Sequence, residues 1–413
     1  MNRQQRTGTI LILGMLSALG PFSIDMYLPG FPAIANDLHT TVDTVAYSLS
    51  SFFIGICAGQ LIYGPLLDRF GRKRPLYVGL TIYILASIGC ALSHSVESLI
   101  AFRFVQALGG CVCMVAPGAI VRDAFPVQES AKIFSLLILI LGVSPIIAPT
   151  VGSYVVPHFG WHMVFVLLAF ISSGMLLAVI FFLRETKQPD PSMSLKPAAI
   201  FSNYATVLKQ PQFSTYAFSG AIAAAGLFAY LAGSPMVFMK MYGMTEQQYG
   251  WIFALIAAGL ITSSQLNNVL LRKYSSEQII KTVLRVQTGV GLLLCAGAMF
   301  NLLNLYSTIG LMFVFLSCQG FSFPNSAALS MAPFTREAGS AAALMGSLQM
   351  GFGALASALV GVFNDGTSFP LAAVMAACAL TGLVIQTIGR KRIAYRSRIE
   401  DVDEEAFELI EKF

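Results

Sequence analysis

Charge is scarce in this sequence. Of 413 residues, 25 are Lys or Arg and 20 are Asp or Glu, 11% together, where water-soluble domains carry roughly 25%. A soluble globular protein is excluded on that ground, and the net charge of +5 requires no nucleic-acid partner. Histidine is limited to four residues and cysteine to seven. The cysteines (57, 90, 111, 113, 295, 318 and 378) all fall inside apolar runs. Even Cys111 and Cys113 point to different faces of a helix, so they read as small core residues rather than metal ligands. No nucleophile–base pair, metal cluster or phosphate loop stands out, which leaves no catalytic residue, metal site or cofactor to assign and argues against an enzyme. The ~10-residue alternating strands of a membrane β-barrel are missing too.

What the chain has is apolar length. Hydrophobic residues make up 56%, and they recur in runs of about 20, each able to cross a hydrocarbon core of ~30 Å. Twelve helical spans are expected, at 8–32, 43–66, 76–94, 98–121, 132–155, 161–183, 213–238, 247–271, 278–300, 305–331, 338–362 and 367–389. The fold class is therefore all-α integral membrane. Only 184–212 is a long, polar connection, beginning "RETKQPDPSMSLKP", and it divides the spans six and six. This predicts an N-terminal bundle over 1–183, a cytoplasmic linker over 184–212, a second bundle over 213–390 and an acidic tail over 391–413. The tail, "IEDVDEEAFELIEKF", reads as a solvated amphipathic helix. "NRQQR" before the first run resembles the start of a signal peptide, but the apolar stretch continues past Gly20, so the first helix is expected to be retained.

Basic residues orient the bundle. Arg103 and Arg285 lie inside spans and Lys240 follows the seventh. The other Lys and Arg gather at the N-terminus, in and beside the even-numbered loops, and in the tail. By the positive-inside rule both termini are cytoplasmic, in a cell (inner) membrane, with His39, His94, His158 and His162 at the outer side. An internal echo accompanies this pattern. "DRFGRK" at 68–73 and "NVLLRK" at 268–273 align at an offset of 200, each after the second span of its half, as in parallel transporter repeats.

Three motifs sharpen the reading. "GPLLDRFGRKRP" (64–75) combines Gly71, suited to a tight turn, Asp68, suited to a helix N-terminus, and a basic cluster suited to anionic lipid. It resembles the signature loop of the major facilitator superfamily. "LIAFRFVQALGG" (99–110) is similar to that family's fourth-helix motif, with Arg103, Gln106 and Gly109 in place. "LGVSPIIAPTVG" (141–152) resembles the fifth-helix motif of proton-coupled exporters through Gly142, Pro145, Pro149 and Gly152, with Ala148 where that motif has glycine. "SIDMYLPGFP" (23–32) and "VRDAF" (121–125) are similar to the bicyclomycin/chloramphenicol-resistance subfamily of drug:proton antiporters. The resemblance implies two pseudo-symmetric six-helix bundles, a cavity between them and alternating access. It also implies a cytoplasmic latch of Asp68, Gly71, Arg72 and Asp123, in which Asp68 docks near Gly339 and Ser340 and Arg72 pairs with Asp123.

The anomaly within the spans is an acid and a base. Asp25 lies ~10 Å and Arg103 ~8 Å below the outer interface at 1.5 Å per residue, so both are expected to face the cavity rather than lipid. A carboxyl group holds its proton more tightly when buried and less tightly beside a guanidinium. An aspartate that helix motion carries between those surroundings is a proton carrier, with protons as the coupling ion. A static buried ion pair is the alternative. Pro21 and Pro29 remove backbone hydrogen bonds to Ser17 and Asp25, which bends the helix around the acid.

Aromatic and amide side chains supply the substrate candidates: Tyr27, Gln106, Phe228, Tyr230, Trp251, Gln319, Phe323, Asn325 and Gln349. Apolar walls with a few amides suit small amphiphilic organic molecules. The expected function is proton-coupled efflux of such compounds by a monomer in contact with membrane lipid. The alternatives are a proton-coupled transporter of one metabolite, such as an amino acid or sugar, and a non-transporting receptor or scaffold.

Overall fold

A computed structural model describes residues 3–125, 127–190, 197–334 and 338–411. Among these residues every regular element is helical, and twelve helices have the length and composition to cross a membrane. Spans 1 to 6 are Arg6–Asp37, Val42–Phe70, Lys73–Ala91, Val96–Ala124, Ile140–Phe159 and His162–Phe181. Spans 7 to 12 are Pro211–Met241, Glu246–Leu270, Ser276–Met299, Leu305–Met331, Gly339–Val362 and Phe369–Ile393. Large apolar side chains such as Leu85, Phe170, Leu177 and Tyr306 stand exposed on the outside, as suits a multi-pass membrane protein. Polar residues start the helices. Thr41 and Ser95 cap spans 2 and 4 through the amides of Thr44 and Ser98. Spans 8 and 9 open with reciprocal Thr245–Gln248 and Ser275–Gln278 boxes, each satisfying amides the helix cannot.

Span 1 is broken around Asp25, where the prolines predicted a bent helix. Its first helix, Arg3–Asp25, ends on the aspartate, and a 3-10 turn, Leu28–Gly30, leads into a short helix, Phe31–Asp37. Pro29 and Pro32 have no N–H to offer the carbonyls of Asp25 and Leu28, and the Gly30 amide turns back to Tyr27 at 2.9 Å. Pro21 stays within the helix.

Between spans 6 and 7 the structure adds a helix, Pro197–Lys209, that a polar linker did not foretell. Its Tyr204 and Val207 are buried against Phe213, Ala341 and Leu344, and the Tyr204 hydroxyl donates to the Leu61 carbonyl at 3.1 Å. The linker helix thus touches both halves. At the C-terminus, helix Phe369–Glu411 runs on past residue 390 without a break; the side chains of the tail lie outside the described residues.

The halves meet along two seams built from small residues. Spans 2 and 11 share hydrogen bonds between the Ser50 and Ser357 hydroxyls, 2.7 Å, and between Ser347 and Cys57, 3.2 Å. Spans 5 and 8 approach at Gly250, where a Cβ would sit 3.0 Å from the Ser153 hydroxyl. In lipid, helices gain little from hydrophobicity and associate through close backbone approach and interhelical hydrogen bonds.

Candidate functional site

Arg103 is the largest fully buried side chain. Its guanidinium lies 4.0 Å from the Phe52 ring centroid, 4.3 Å from Tyr27 and 5.7 Å from Phe165. It donates to Gln106 Oε1 at 2.6 Å and to the Ser23 carbonyl at 3.0 Å. The i, i+3 spacing puts Gln106 on the same helical face, and the Gln106 amide is itself fixed by Ser87 at 2.7 Å. Ser23 also shares a hydrogen bond with Tyr83, 2.5 Å, and Tyr27 with Ser48, 3.2 Å. A desolvated cation over an aromatic face gains about 2 kcal/mol and a hydrogen bond to a charge about 1.5–3 kcal/mol. These contacts together offset the burial of a charge without a carboxylate partner. Tyr27 and Gln106 are thereby committed to holding Arg103.

Asp25 stands apart from this network. It is 4% exposed and shares a level with Arg103, whose guanidinium instead bonds the carbonyl of Ser23, two residues earlier. Among the described residues no ion pair joins Asp25 to Arg103. The electrostatic neighbours of its carboxyl are the phenols of Tyr230 on span 7 and Tyr249 on span 8. The turn that follows it, Leu28–Gly30, packs on both of those spans and on span 5. Span 5 makes this possible at Gly152, where the Met26 carbonyl occupies the space a Cβ would need. Three residues earlier, Pro149 lies with Ser153 near Gly250 of span 8, while Gly142 faces Ile261 of the same span, a Cβ there meeting it at 3.6 Å. Pro145 sits between them in the helix. Span 5 therefore touches both the broken part of span 1 and span 8.

The loop between spans 2 and 3 carries the densest charge network. Gly71 turns with φ +80°, a left-handed conformation that glycine adopts freely. Arg72 Nε donates to Asp123 at 2.6 Å and its Nη1 to Asp68 at 3.1 Å. Burial works against the Arg72 charge, but the two carboxylates outweigh it and hold the guanidinium pKa above its ordinary value. Asp68 is engaged by Lys187, 2.7 Å, as well as by Arg72, rather than docked at Gly339 and Ser340 as the resemblance implied. Both cations reach the same Asp68 oxygen; residues 335–337 lie outside the described residues. Glu185 was missed by sequence reasoning. Its carboxylate accepts the amides of Arg72, 2.7 Å, and Lys73, 3.1 Å, capping the start of span 3 with negative charge. The Asp190 amide bonds the Arg69 carbonyl at 3.1 Å, so 185–190 straps the loop. The available signal was "RETK" directly after span 6, at the membrane face where span 3 begins.

The second-half candidates separate. Phe323 and Gln349 line a narrow cleft with Gly220, Ser326 and Met345. Phe228 meets Phe53 edge-on across the halves at 4.6 Å, and Tyr230 is buried beside Phe253 at 5.9 Å. Gln319 donates to the Ala223 carbonyl at 2.6 Å and Asn325 to Asn267 at 2.6 Å, so both amides bind neighbouring helices. Trp251 is not brought inside. It is 67% exposed, on a stripe of span 8 with Leu255 and Leu266, because the adjacent Gly250 is the residue that faces span 5.

The sequence profile of the Major Facilitator Superfamily matches residues 13–358. A Haemophilus influenzae protein named bicyclomycin resistance protein homolog is 31% identical over 385 residues, covering 93% of this chain and 96% of that protein. Multidrug resistance protein MdtL of Escherichia coli is 30% identical over 374 residues, covering 90% and 92%. A solved bacterial homolog of the human lysosomal transporter Spinster, inward-facing and occupied, has the same fold at a TM-score of 0.70 and 14% identity, covering 96% of this chain and 98% of that one. Twelve spans in two bundles, the loop at 64–75 and these matches along most of the length lead to one conclusion: the chain belongs to the major facilitator superfamily of membrane transporters.

Proposed function

We propose that the protein is a proton-coupled exporter of small amphiphilic organic compounds, antibiotics among them, working as a monomer by alternating access. Relatives named for bicyclomycin and multidrug resistance support the substrate class. The one-sided Lys and Arg distribution supports an inner-membrane orientation with both termini cytoplasmic. Protons serve as the coupling ion, driven by about 2.3 kcal/mol per charge for 100 mV.

The observation that carries this reading is Asp25. It is buried, unpaired with Arg103, and set at a helix break between the halves. An ionisable group in such a position is costly and is kept for function. Asp25→Asn is expected to abolish uphill, proton-driven export in energised vesicles while the protein still inserts and binds substrate. Retained uphill export would refute the assignment. A second reading is transport of one small metabolite, which the same superfamily fold would also serve. Proton release screened over chemically unrelated compounds separates the two, since a metabolite transporter answers to a single class.

A further inference from the structure

Across the interface from Asp25, spans 7 and 8 contribute a compact aromatic group. The Tyr249 hydroxyl is shared with Ser234 at 2.9 Å. The Tyr230 hydroxyl is buried, also lies close to Ser234, and makes no well-formed hydrogen bond. Phe253 packs between them, 5.9 Å from Tyr230 and 6.0 Å from Tyr249 by ring centroids. The turn after Asp25 rests on the same two spans, which leaves both phenols within electrostatic range of the Asp25 carboxyl. The other titratable groups at this turn are engaged elsewhere: Arg103 with the Ser23 carbonyl, Tyr83 with the Ser23 hydroxyl, and Tyr27 with Ser48. Spans 5 and 6 bring Gly152 and Phe165.

We propose that Tyr230 and Tyr249 are positioning residues for the Asp25 carboxyl, through which the second half registers whether that carboxyl carries a proton. The inference rests on reading Asp25 as the proton site and adds where its partner lies. An ionised carboxylate only accepts hydrogen bonds, whereas the protonated acid also donates one, and a phenol can meet either form. Tyr230 is the uncommitted partner. Tyr249 is held by Ser234. When the halves part, span 1 leaves both phenols, so holding or losing the proton changes how strongly the halves adhere. The first half thus supplies the acid and the second half supplies the groups that sense it.

Tyr→Phe exchanges test this, because they keep the ring packing and remove only the hydroxyl. In vesicles, Tyr230→Phe and Tyr249→Phe are expected to shift the pH midpoint of exchange by about half a unit, the roughly threefold effect of one modest hydrogen bond. The double variant shifts it further. Ser234→Ala frees the Tyr249 hydroxyl for the acid and is expected to shift the midpoint in the opposite direction, which a merely structural role would not do. Thermal midpoints measured in parallel identify any variant that folds poorly. An unmoved midpoint in the double variant, or a same-direction shift in Ser234→Ala, overturns the inference. If those results accompany an inactive Asp25→Asn, the proton reading stands and only the tyrosine assignment falls. Uphill export by Asp25→Asn would remove the proton reading itself.

Discussion

Gly152 illustrates how one hydrogen atom in place of a side chain can position a functional group. The Met26 carbonyl occupies the space where a Cβ at residue 152 would lie, so Gly152 lets the broken end of span 1 settle beside Asp25 and against the second half. Gly152→Ala is expected to destabilise the protein by about 1–3 kcal/mol, the usual cost of overpacking a filled site, and to depress transport. Gly174 is a matched control, since nothing lies within 4 Å of the Cβ position there. Alanine at residue 174 is expected to be neutral or stabilising by up to about 1 kcal/mol. Thermal midpoints of the two variants in detergent check the difference, and equal midpoints would contradict it. Arg103 is a residue-scale case of another kind. Its charge is held by ring faces, an amide oxygen and a backbone carbonyl, an arrangement that fixes spans 1, 2, 4 and 6 to one another without a counter-ion.

At the scale of elements, the strap after span 6 governs the loop between spans 2 and 3. Glu185 supplies two acceptors to amides at the start of span 3, and Lys187 supplies a cation to Asp68. Both side chains are partly in water, so each contact is worth about 1 kcal/mol or less. Their value lies in geometry, since they hold Arg72 where it meets Asp123. Glu185→Ala is expected to lower the thermal midpoint by a few degrees and to slow turnover more than it weakens substrate binding. Glu185→Gln, which keeps one acceptor oxygen, should recover part of the loss. Turnover and affinity unaffected in Glu185→Ala would show that the strap is incidental.

For the whole molecule the decisive feature is the pair of seams. Spans 2 and 11 touch from Tyr47, where a Cβ at Gly361 would lie 3.0 Å from its ring, through Ser50–Ser357 to Cys57–Ser347, and the linker helix continues the contact with span 2 through the Tyr204–Leu61 bond. Alternating access requires these contacts to open and close. Ser50→Cys combined with Ser357→Cys, in a background with Cys57→Ser, is expected to form a disulfide under mild oxidation, because the two hydroxyl oxygens are 2.7 Å apart. Transport should stop on oxidation and return on reduction. A cross-linked protein that still transports would rule out motion along this seam.

Much of this was legible in the chain, for physical reasons that differ by feature. Twelve spans follow from runs of about 20 apolar residues, a local property that needs no knowledge of neighbours. Proline chemistry pointed to a disturbed helix around Asp25, since a missing N–H is equally local. The glycine turn at residue 71 and the six-and-six division were readable for the same reason. The rotation of each helix about its axis was not. Depth along the helix places Asp25 and Arg103 at one level, but packing decided that Arg103 turns into the first half among Tyr27, Phe52 and Phe165 while the turn after Asp25 rests on the spans that carry Tyr230 and Tyr249. Packing likewise put Trp251 on the outside, Phe323 with Gln349, and Glu185 on the amides of residues more than a hundred positions earlier. Sequence by itself determined which segments enter the membrane and which residues bend or cap them. Tertiary structure alone decided which buried charge faces which partner, because that choice depends on contacts between helices distant in the chain.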